Sequence, residues 1–152
     1  DLWKEEEETF IKKCTTFIEK SHLCKFSLEE AQLLSGEDDI EKACDVLHKK
    51  GAQIITVTLG GKGTLVSTAN IKTIVPSITV NPVDTTGAGD AFIGCLLYQI
   101  SSLAHPTDIL KDDELLLKMV KKANIAGAIT TTNYGAIPSL PTLEQLKEKS
   151  EA

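Results

Sequence analysis

The chain has 152 residues, a net charge of −6 and 41% hydrophobic residues, which is the balance of an ordinary globular domain. Its 16 basic residues are all lysines, and an acidic chain without arginine is a poor match for the phosphates of nucleic acid. It has no apolar run of the roughly 20 residues that span a membrane, and its four cysteines lack zinc-ligand spacing, so we expect a cytoplasmic protein with reduced thiols and neither nucleic acid nor membrane as partner.

Helical and strand patterns alternate along the chain. Apolar residues at helical spacing predict that the first helix buries one face. That face consists of Phe10, Ile11, Cys14, Phe17 and Ile18. In chain order the prediction is a helix over 3–20, a strand over 23–26, helices over 28–34 and 40–47, strands over 52–59, 64–68 and 71–75, and helices over 91–100, 115–129 and 143–149.

Several of these elements carry their own start and stop signals. Ser27 and Glu30 have the spacing of a capping box at the start of the second helix. Asp38 or Asp39 can cap the third helix, and Gly51 is a natural residue to follow its end. The alternation of helices and strands predicts an α/β fold with a largely parallel sheet. The strands are few, which favours the C-terminal part of a longer domain over a small complete domain.

A glycine-rich junction at residues 84–90 is the strongest chemical signal. It reads Asp-Thr-Thr-Gly-Ala-Gly-Asp and leads directly into an apolar helical run. Glycines before a helix N-terminus let an anion approach unpaired N–H groups, and Asp90 would lie at the edge of that pocket. A carboxylate there can accept a proton from an attacking hydroxyl, as phosphoryl transfer requires. The structural alternative is a glycine-rich loop in which Asp90 interacts with the helix dipole.

The string over residues 84–92 closely resembles the C-terminal signature of the ribokinase-like (PfkB) carbohydrate kinases. Three further segments resemble that family in the expected order, at residues 25–30, 58–63 and 135–141. The resemblance implies an α/β, three-layer ribokinase-like fold with a largely parallel central sheet. Residues 1–152 would form its C-terminal nucleotide-binding part, with the N-terminal sugar-binding part and lid absent from this chain.

The resemblance also implies roles for individual residues. Asp90 would be the catalytic base, and the backbone N–H groups of Gly87, Ala88 and Gly89 would form the anion hole for the transferred phosphoryl group. The implied cofactor-binding residues for ATP are Ser27, Thr58, Gly60, Lys62, Gly63 and Asn124, the last of these near the adenine. Lys62 as a solvated turn lysine and Asn124 as an ordinary helix-surface residue remain open alternatives.

Two cation sites are implied as well. Glu30 would act through water on Mg²⁺, next to Ser27, which stands where the family commonly has asparagine. The capping-box interpretation of this pair is compatible with that role. A monovalent cation, commonly K⁺, would be bound by the Asp84 carboxylate and by backbone carbonyls. The carbonyl ligands implied are those of Thr86, Thr130, Asn133 and Gly135.

The predicted function is that of an ATP-dependent sugar kinase that acts on a sugar hydroxyl. A Leu2-Trp3 pair, the Ser27 variant and the ending at residues 136–138 favour a fructokinase-like member, with ribose or 2-keto-3-deoxygluconate as alternative substrates. The expected partners are the sugar and ATP, and a homodimer of the full-length protein is possible in this family. A non-catalytic nucleotide-binding module is the alternative from another class. A NAD-type module is disfavoured, because residues 60–63 lead into a strand rather than a helix.

Overall fold

The computed structural model describes residues 6–151. The predicted start of the first helix and the Leu2-Trp3 pair therefore lie outside the described residues. The chain divides into two compact units. The first comprises the chain up to Thr58 together with Leu65–Thr73, and the second comprises Leu59–Thr64 together with the chain from Ile74 onward.

In the first unit, the helices and strands up to Thr58 follow the predicted order. They are α1 (Glu7–Ile18), β1 (Leu23–Ser27), α2 (Leu28–Ser35), α3 (Ile40–Lys49) and β2 (Ile54–Thr58). β1 and β2 are parallel neighbours, with Leu23 opposite Ile54 and Ser27 opposite Thr58. The first four residues of β2 are all buried, as expected for a strand that is covered on both faces.

Local side-chain caps explain where α2 and α3 begin. Ser27 Oγ accepts a hydrogen bond from the Glu30 amide at 3.2 Å, and Glu30 Oε2 accepts one from the Ser27 amide at 2.7 Å, which completes the predicted capping box. Asp39, rather than its neighbour, caps α3 by accepting from two amides of the first turn. Gly51 follows α3 with a φ of +116°, a left-handed conformation that favours glycine.

The predicted buried face of α1 is only partly correct. Ile18 is buried, but Phe17 is 72% exposed and Phe10 is 49% exposed. A helical period identifies the helix, whereas the burial of each position depends on which neighbouring elements reach it.

The four strands form one sheet in the order β1-β2-β3-β4, where β3 is Thr64–Ser67 and β4 is Lys72–Val75. The Thr68 amide donates to the Ile71 carbonyl at 2.9 Å, and this bond closes the predicted hairpin between β3 and β4. A hairpin joins antiparallel strands, so the expected largely parallel sheet is a mixed sheet among the described residues, with parallel pairing at β1 and β2. The α/β class is confirmed.

The second unit is mainly helical. Its longer elements are α4 (Ala88–Ser101), α5 (Asp113–Thr130) and α6 (Leu143–Glu151). α4 packs extensively against α5, and α4 begins at Ala88 rather than at the predicted Ala91, so Gly89 and Asp90 belong to its first turn. No helix within residues 6–151 combines the length and the apolar character needed to cross a bilayer.

Candidate active site

The loop before α4 is fixed by the carboxylate of Asp84. Its Oδ1 accepts a hydrogen bond from the Thr86 amide at 2.9 Å, and its Oδ2 accepts one from the Gly135 amide at 2.9 Å. The Thr86 hydroxyl, together with these two amides, holds the pKa of the Asp84 carboxyl below its ordinary value. Asp84 therefore joins the glycine-rich loop to the loop that follows α5.

Two further contacts join the same pair of loops. The Thr131 carbonyl, just after α5, accepts from the amides of Val83 at 2.7 Å and Asp84 at 3.1 Å. Gly87 has a φ of +82°, and a Cβ atom added there would lie 2.5 Å from the Cβ of Ala136. Only glycine fits that position, because both the backbone conformation and the close approach exclude a side chain.

The amides that follow are partly available for a ligand. Ala88 donates its amide to the Thr85 carbonyl across a turn at 3.3 Å, so this member of the predicted anion hole already has an internal partner. Among residues 6–151, the amides of Gly87 and Gly89 have no such acceptor. A helix N-terminus with unpaired N–H groups is a suitable place for a phosphoryl group.

Asp90 lies on the first turn of α4 and is exposed to solvent. No residue of the described chain donates a hydrogen bond to its carboxylate or forms an ion pair with it. Asp90 is therefore chemically free to accept a proton from a bound hydroxyl.

The predicted nucleotide-binding turn lies between β2 and β3. Residues Gly60–Lys62 form one turn of 3₁₀-helix, and the Leu59 amide donates to the Gly63 carbonyl at 2.8 Å. Gly63 has a φ of +102°, and an added Cβ would overlap the carbonyl of Val75. The Lys62 side chain is exposed, which fits both of its sequence interpretations.

Thr58, at the end of β2, belongs to the first unit. Its hydroxyl donates to the Phe26 carbonyl at 3.3 Å, and the residue is half-buried. In the same unit, the capping box engages Ser27 Oγ and one carboxylate oxygen of the exposed Glu30. The second carboxylate oxygen of Glu30 has no partner among the described residues, so capping and a water-mediated role toward a cation are compatible.

Asn124 is neither on the helix surface nor free to bind a ligand through its side chain. It is 6% exposed, in the middle of α5. Its Oδ1 accepts from the Thr64 hydroxyl at 2.6 Å, and its Nδ2 donates to the Val75 carbonyl at 2.9 Å and to the Pro76 carbonyl at 3.3 Å. The helix-surface alternative is wrong, and a contact with adenine through this amide would require these bonds to break.

The residues predicted to bind a monovalent cation lie on segments that the structure brings together. Thr130 is the last residue of α5, and the Asp84–Gly135 bond joins the loop after α5 to the loop before α4. The Thr130 hydroxyl donates back to the Ala126 carbonyl at 3.0 Å, and Asn133 is exposed. Within residues 6–151, no three His, Cys, Asp or Glu side chains gather as metal ligands, and the predicted site depends mainly on carbonyls.

Two residues near the loop were missed by the sequence analysis. Gly127 of α5 faces the start of α4, where an added Cβ would lie 3.1 Å from the Ala88 carbonyl oxygen. A glycine inside a helix lowers stability by about 1 kcal/mol relative to alanine. A glycine in the middle of a predicted helix could therefore have indicated close packing at that position. Ser139 is 4% exposed and its hydroxyl donates to the Tyr134 carbonyl at 3.2 Å, which no local pattern indicates.

A cleft of about 650 Å³ lies elsewhere in the second unit, and Tyr98, Gln99 and Met119 are among its lining residues. It contains none of the predicted site residues. The chemistry of the glycine-rich loop, rather than the volume of a cleft, therefore identifies the candidate site.

Solved structures define the class of protein to which this fold belongs. The fructokinase of Vibrio cholerae O395, in a form bound to fructose, ADP and a calcium ion, is 37% identical with a TM-score of 0.86, over 94% of this chain and 45% of that chain. The ribokinase of Thermotoga maritima is 28% identical with a TM-score of 0.78, over 91% of this chain and 45% of that chain. The ribokinase-like fold is confirmed.

Residues 2–143 match the family described as pfkB family carbohydrate kinase, and the chain belongs to that family. The probable fructokinase-4 of Arabidopsis thaliana is 38% identical over 148 residues, which is 96% of this chain and 44% of that protein. Fructokinase-1 of Zea mays is 40% identical over an alignment 155 residues long, which covers 98% of this chain and 46% of that protein. The chain thus spans a little less than half the length of these relatives.

Proposed function

We propose that the protein containing this chain is an ATP-dependent sugar kinase that transfers the γ-phosphoryl group to a sugar hydroxyl, with fructose as the favoured sugar. The observation that carries the proposal is Asp90, exposed and unpaired on the first turn of α4, directly after the open amide of Gly89. Membership of the family and similarity to fructokinases support it.

In the proposed reaction, Asp90 takes the proton of the sugar hydroxyl as that oxygen attacks the γ-phosphorus. The bond from the γ-phosphorus to the bridging oxygen breaks, and its electron pair leaves with ADP. The amides of Gly87 and Gly89 donate to the phosphoryl oxygens, where negative charge develops. The Ala88 amide joins them only when its 3.3 Å turn bond to Thr85 gives way.

The residues proposed to bind the nucleotide include Thr58 and, in the turn over residues 60–63, Gly60, Lys62 and Gly63. The Lys62 ammonium group is exposed and can approach a phosphate, and no arginine is available in this chain for that purpose.

The residues present fit the two cations. Mg²⁺ neutralises phosphate charge in phosphoryl transfer, and the unpaired oxygen of Glu30 fits a water-mediated contact with it. A monovalent cation, with K⁺ favoured, suits the oxygen donors of Asp84, Thr86, Thr130, Asn133 and Gly135. The two Asp84 oxygens already accept one amide each, and a carboxylate oxygen retains capacity for a further partner.

The relatives are about twice as long as this chain, and their length supports a second part of the protein. We place most of the sugar site, and the lid through which a homodimer could form, in that part. A cytoplasmic location is consistent with free thiols at all four cysteines.

The test is the full-length protein carrying Asp90→Asn. This change keeps the size of the side chain and removes its basicity, so turnover should fall by about 10²–10⁴-fold while the Kd for ATP stays near the wild-type value. Asp108→Asn is the matched control, because Asp108 is also exposed and lies outside the site. Turnover is measured with fructose, ribose and 2-keto-3-deoxygluconate.

Two outcomes would contradict the proposal. Unchanged turnover in Asp90→Asn would remove Asp90 as the base. A wild-type protein that binds ATP and turns over none of the three sugars would instead be a non-catalytic nucleotide-binding module.

A further inference from the structure

The buried amide of Asn124 connects three segments of the second unit. Its Oδ1 accepts from the hydroxyl of Thr64, the first residue of β3. Its Nδ2 donates to the carbonyls of Val75 and Pro76, where β4 ends. Since carbonyl oxygens only accept, the orientation of the amide is fixed with its nitrogen toward them. Both ends of this side chain are therefore engaged inside the protein.

The turn over residues 60–63 contacts the same segment at the end of β4. Gly63 precedes Thr64, and its Cα is so close to Val75 that an added Cβ would overlap the Val75 carbonyl and lie 2.8 Å from the Cα of Pro76. The position of Gly63 is thus set by the segment to which Asn124 donates. A change at Asn124 acts on both sides of that contact.

The turn over residues 60–63 is closed by internal hydrogen bonds. The Leu59 amide donates to the Gly63 carbonyl at 2.8 Å, and the Gly63 amide donates to the Gly60 carbonyl at 3.1 Å. Its attachment to the helical part of the second unit includes the 2.6 Å bond from Thr64, which is fully buried, to Asn124. A buried bond between neutral groups persists because losing one partner leaves the other unsatisfied.

We infer that Asn124 is a positioning residue that sets nucleotide affinity by holding the turn 60–63, without itself touching the nucleotide. The inference rests on the proposed role of that turn in ATP binding. It assigns to Asn124 a function different from a direct adenine contact, because its side-chain oxygen and nitrogen already have internal partners.

The experiment uses the full-length protein with Asn124→Leu, which keeps approximate size and removes both hydrogen-bonding groups. The KM for ATP should rise about tenfold or more, with kcat changed less than about threefold and the KM for the sugar unchanged. Thr64→Val removes the other partner and should reproduce the effect, whereas Thr64→Ser keeps the hydroxyl and should retain wild-type affinity.

Gln99→Leu is the matched control for a general loss of stability. Gln99 is also a half-buried amide between helices, with Nε2 donating to the Met119 carbonyl at 3.0 Å and the Cys95 carbonyl at 3.3 Å. These hydrogen bonds do not involve the turn 60–63, so Gln99→Leu should lower Tm and leave the KM for ATP unchanged. The Kd values for ATP and for GTP are measured directly in every variant.

The outcomes separate the alternatives. Weakened binding of ATP and GTP by the same factor supports positioning, whereas weakened ATP binding with unchanged GTP binding indicates an adenine contact and overturns the inference. A fall in Tm like that of Gln99→Leu, with ATP affinity unchanged, also overturns it. If Asn124→Leu does not fold, the Thr64 pair decides. If the wild-type protein binds ATP but transfers no phosphoryl group, the proposed function fails and the Kd values still test this inference.

Discussion

Asp84, in the loop before α4, and Asp90, on the first turn of that helix, are six residues apart and have opposite surroundings. Asp84 accepts hydrogen bonds from two amides, one of them on a separate loop, whereas Asp90 is exposed and has no partner in the described part of the chain. A carboxylate that accepts from amides stabilises a loop, and an unpaired carboxylate is available for proton transfer. The two acidic residues of the signature thus have different physical roles.

At this scale the sequence indicated candidate site residues but not the residues that they contact. The spacing of glycines before Asp90 pointed to a helix N-terminus, which is a local property. The bond from Gly135 to Asp84 joins residues 51 positions apart, and Asn124 lies 60 positions from Thr64. Contacts of that range depend on the packing of whole elements, so no local pattern could predict them.

The pKa of Asp84 leads to a pH-dependent stability. Because the folded protein holds this pKa below its ordinary value of about 3.9, the ionised carboxylate stabilises the fold above that value, and the contribution is lost as the pH falls toward the folded-state pKa. Asp84→Asn should therefore lower the urea midpoint at pH 7, and its curve should converge with that of the wild-type protein as the pH falls through the folded-state pKa. A constant difference between the two curves at every pH would contradict this prediction.

Element boundaries followed local chemistry at the caps of α2 and α3. Ser27, Asp39 and Gly51 mark the ends of α2 and α3 as their residue types predicted, because a cap satisfies backbone groups within a few residues. α4 has no side-chain cap, and its start was placed too late. The helices are thus predictable at capped ends and uncertain where a glycine alone precedes the first turn.

Close packing between α5 and α4 gives a second prediction. In Gly127→Ala the new Cβ would lie 3.1 Å from the Ala88 carbonyl oxygen, so the first turn of α4 must move by a few tenths of an ångström. That turn carries Asp90, and small displacements of reacting groups are costly, so kcat should fall by about tenfold in the full-length protein. The gain in helix propensity, about 1 kcal/mol, offsets the packing cost, so Tm should change little.

Gly94→Ala is the control for that experiment. Gly94 is also inside a helix, but no atom of the described chain lies within 4 Å of an added Cβ. It should gain the same helix propensity without a loss of kcat. Equal kcat values for the two alanine variants would show that the Gly127 contact does not determine the position of the first turn of α4.

At the scale of the molecule, the chain carries a recognisable family signature and less than half of the length of its relatives. Residues proposed to bind the nucleotide and the phosphoryl group lie in it, whereas of the proposed site residues only Asp90 was assigned to the sugar, at its reacting hydroxyl. The family and the fold class could be predicted from four short segments, because these segments are local. The identity of the sugar could not, since shape-selective contacts come from many distant positions.

The proposal that most of the sugar site lies in another part of the protein predicts how the isolated 152 residues behave. Assayed beside the full-length protein with fructose and ATP, they should transfer phosphoryl groups at least about 10²-fold more slowly, because the hydroxyl is not oriented toward the phosphorus. Binding of ATP alone is measured in parallel, as a check that the nucleotide site is formed. Equal turnover by the two proteins would refute the assignment of the sugar site to another part.

The proposed donors to the phosphoryl oxygens are main-chain N–H groups, at Gly87 and Gly89, in a chain without arginine. Most side-chain substitutions and acylation of lysines leave main-chain N–H groups in place. Sequence changes and covalent modification of surface lysines therefore do not remove these donors. Proline is the exception, as it alone lacks the hydrogen, and its fixed φ fits the first turn of a helix where Gly89 stands. Replacing Gly89 with proline would therefore remove one hydrogen-bond donor while the helix persists.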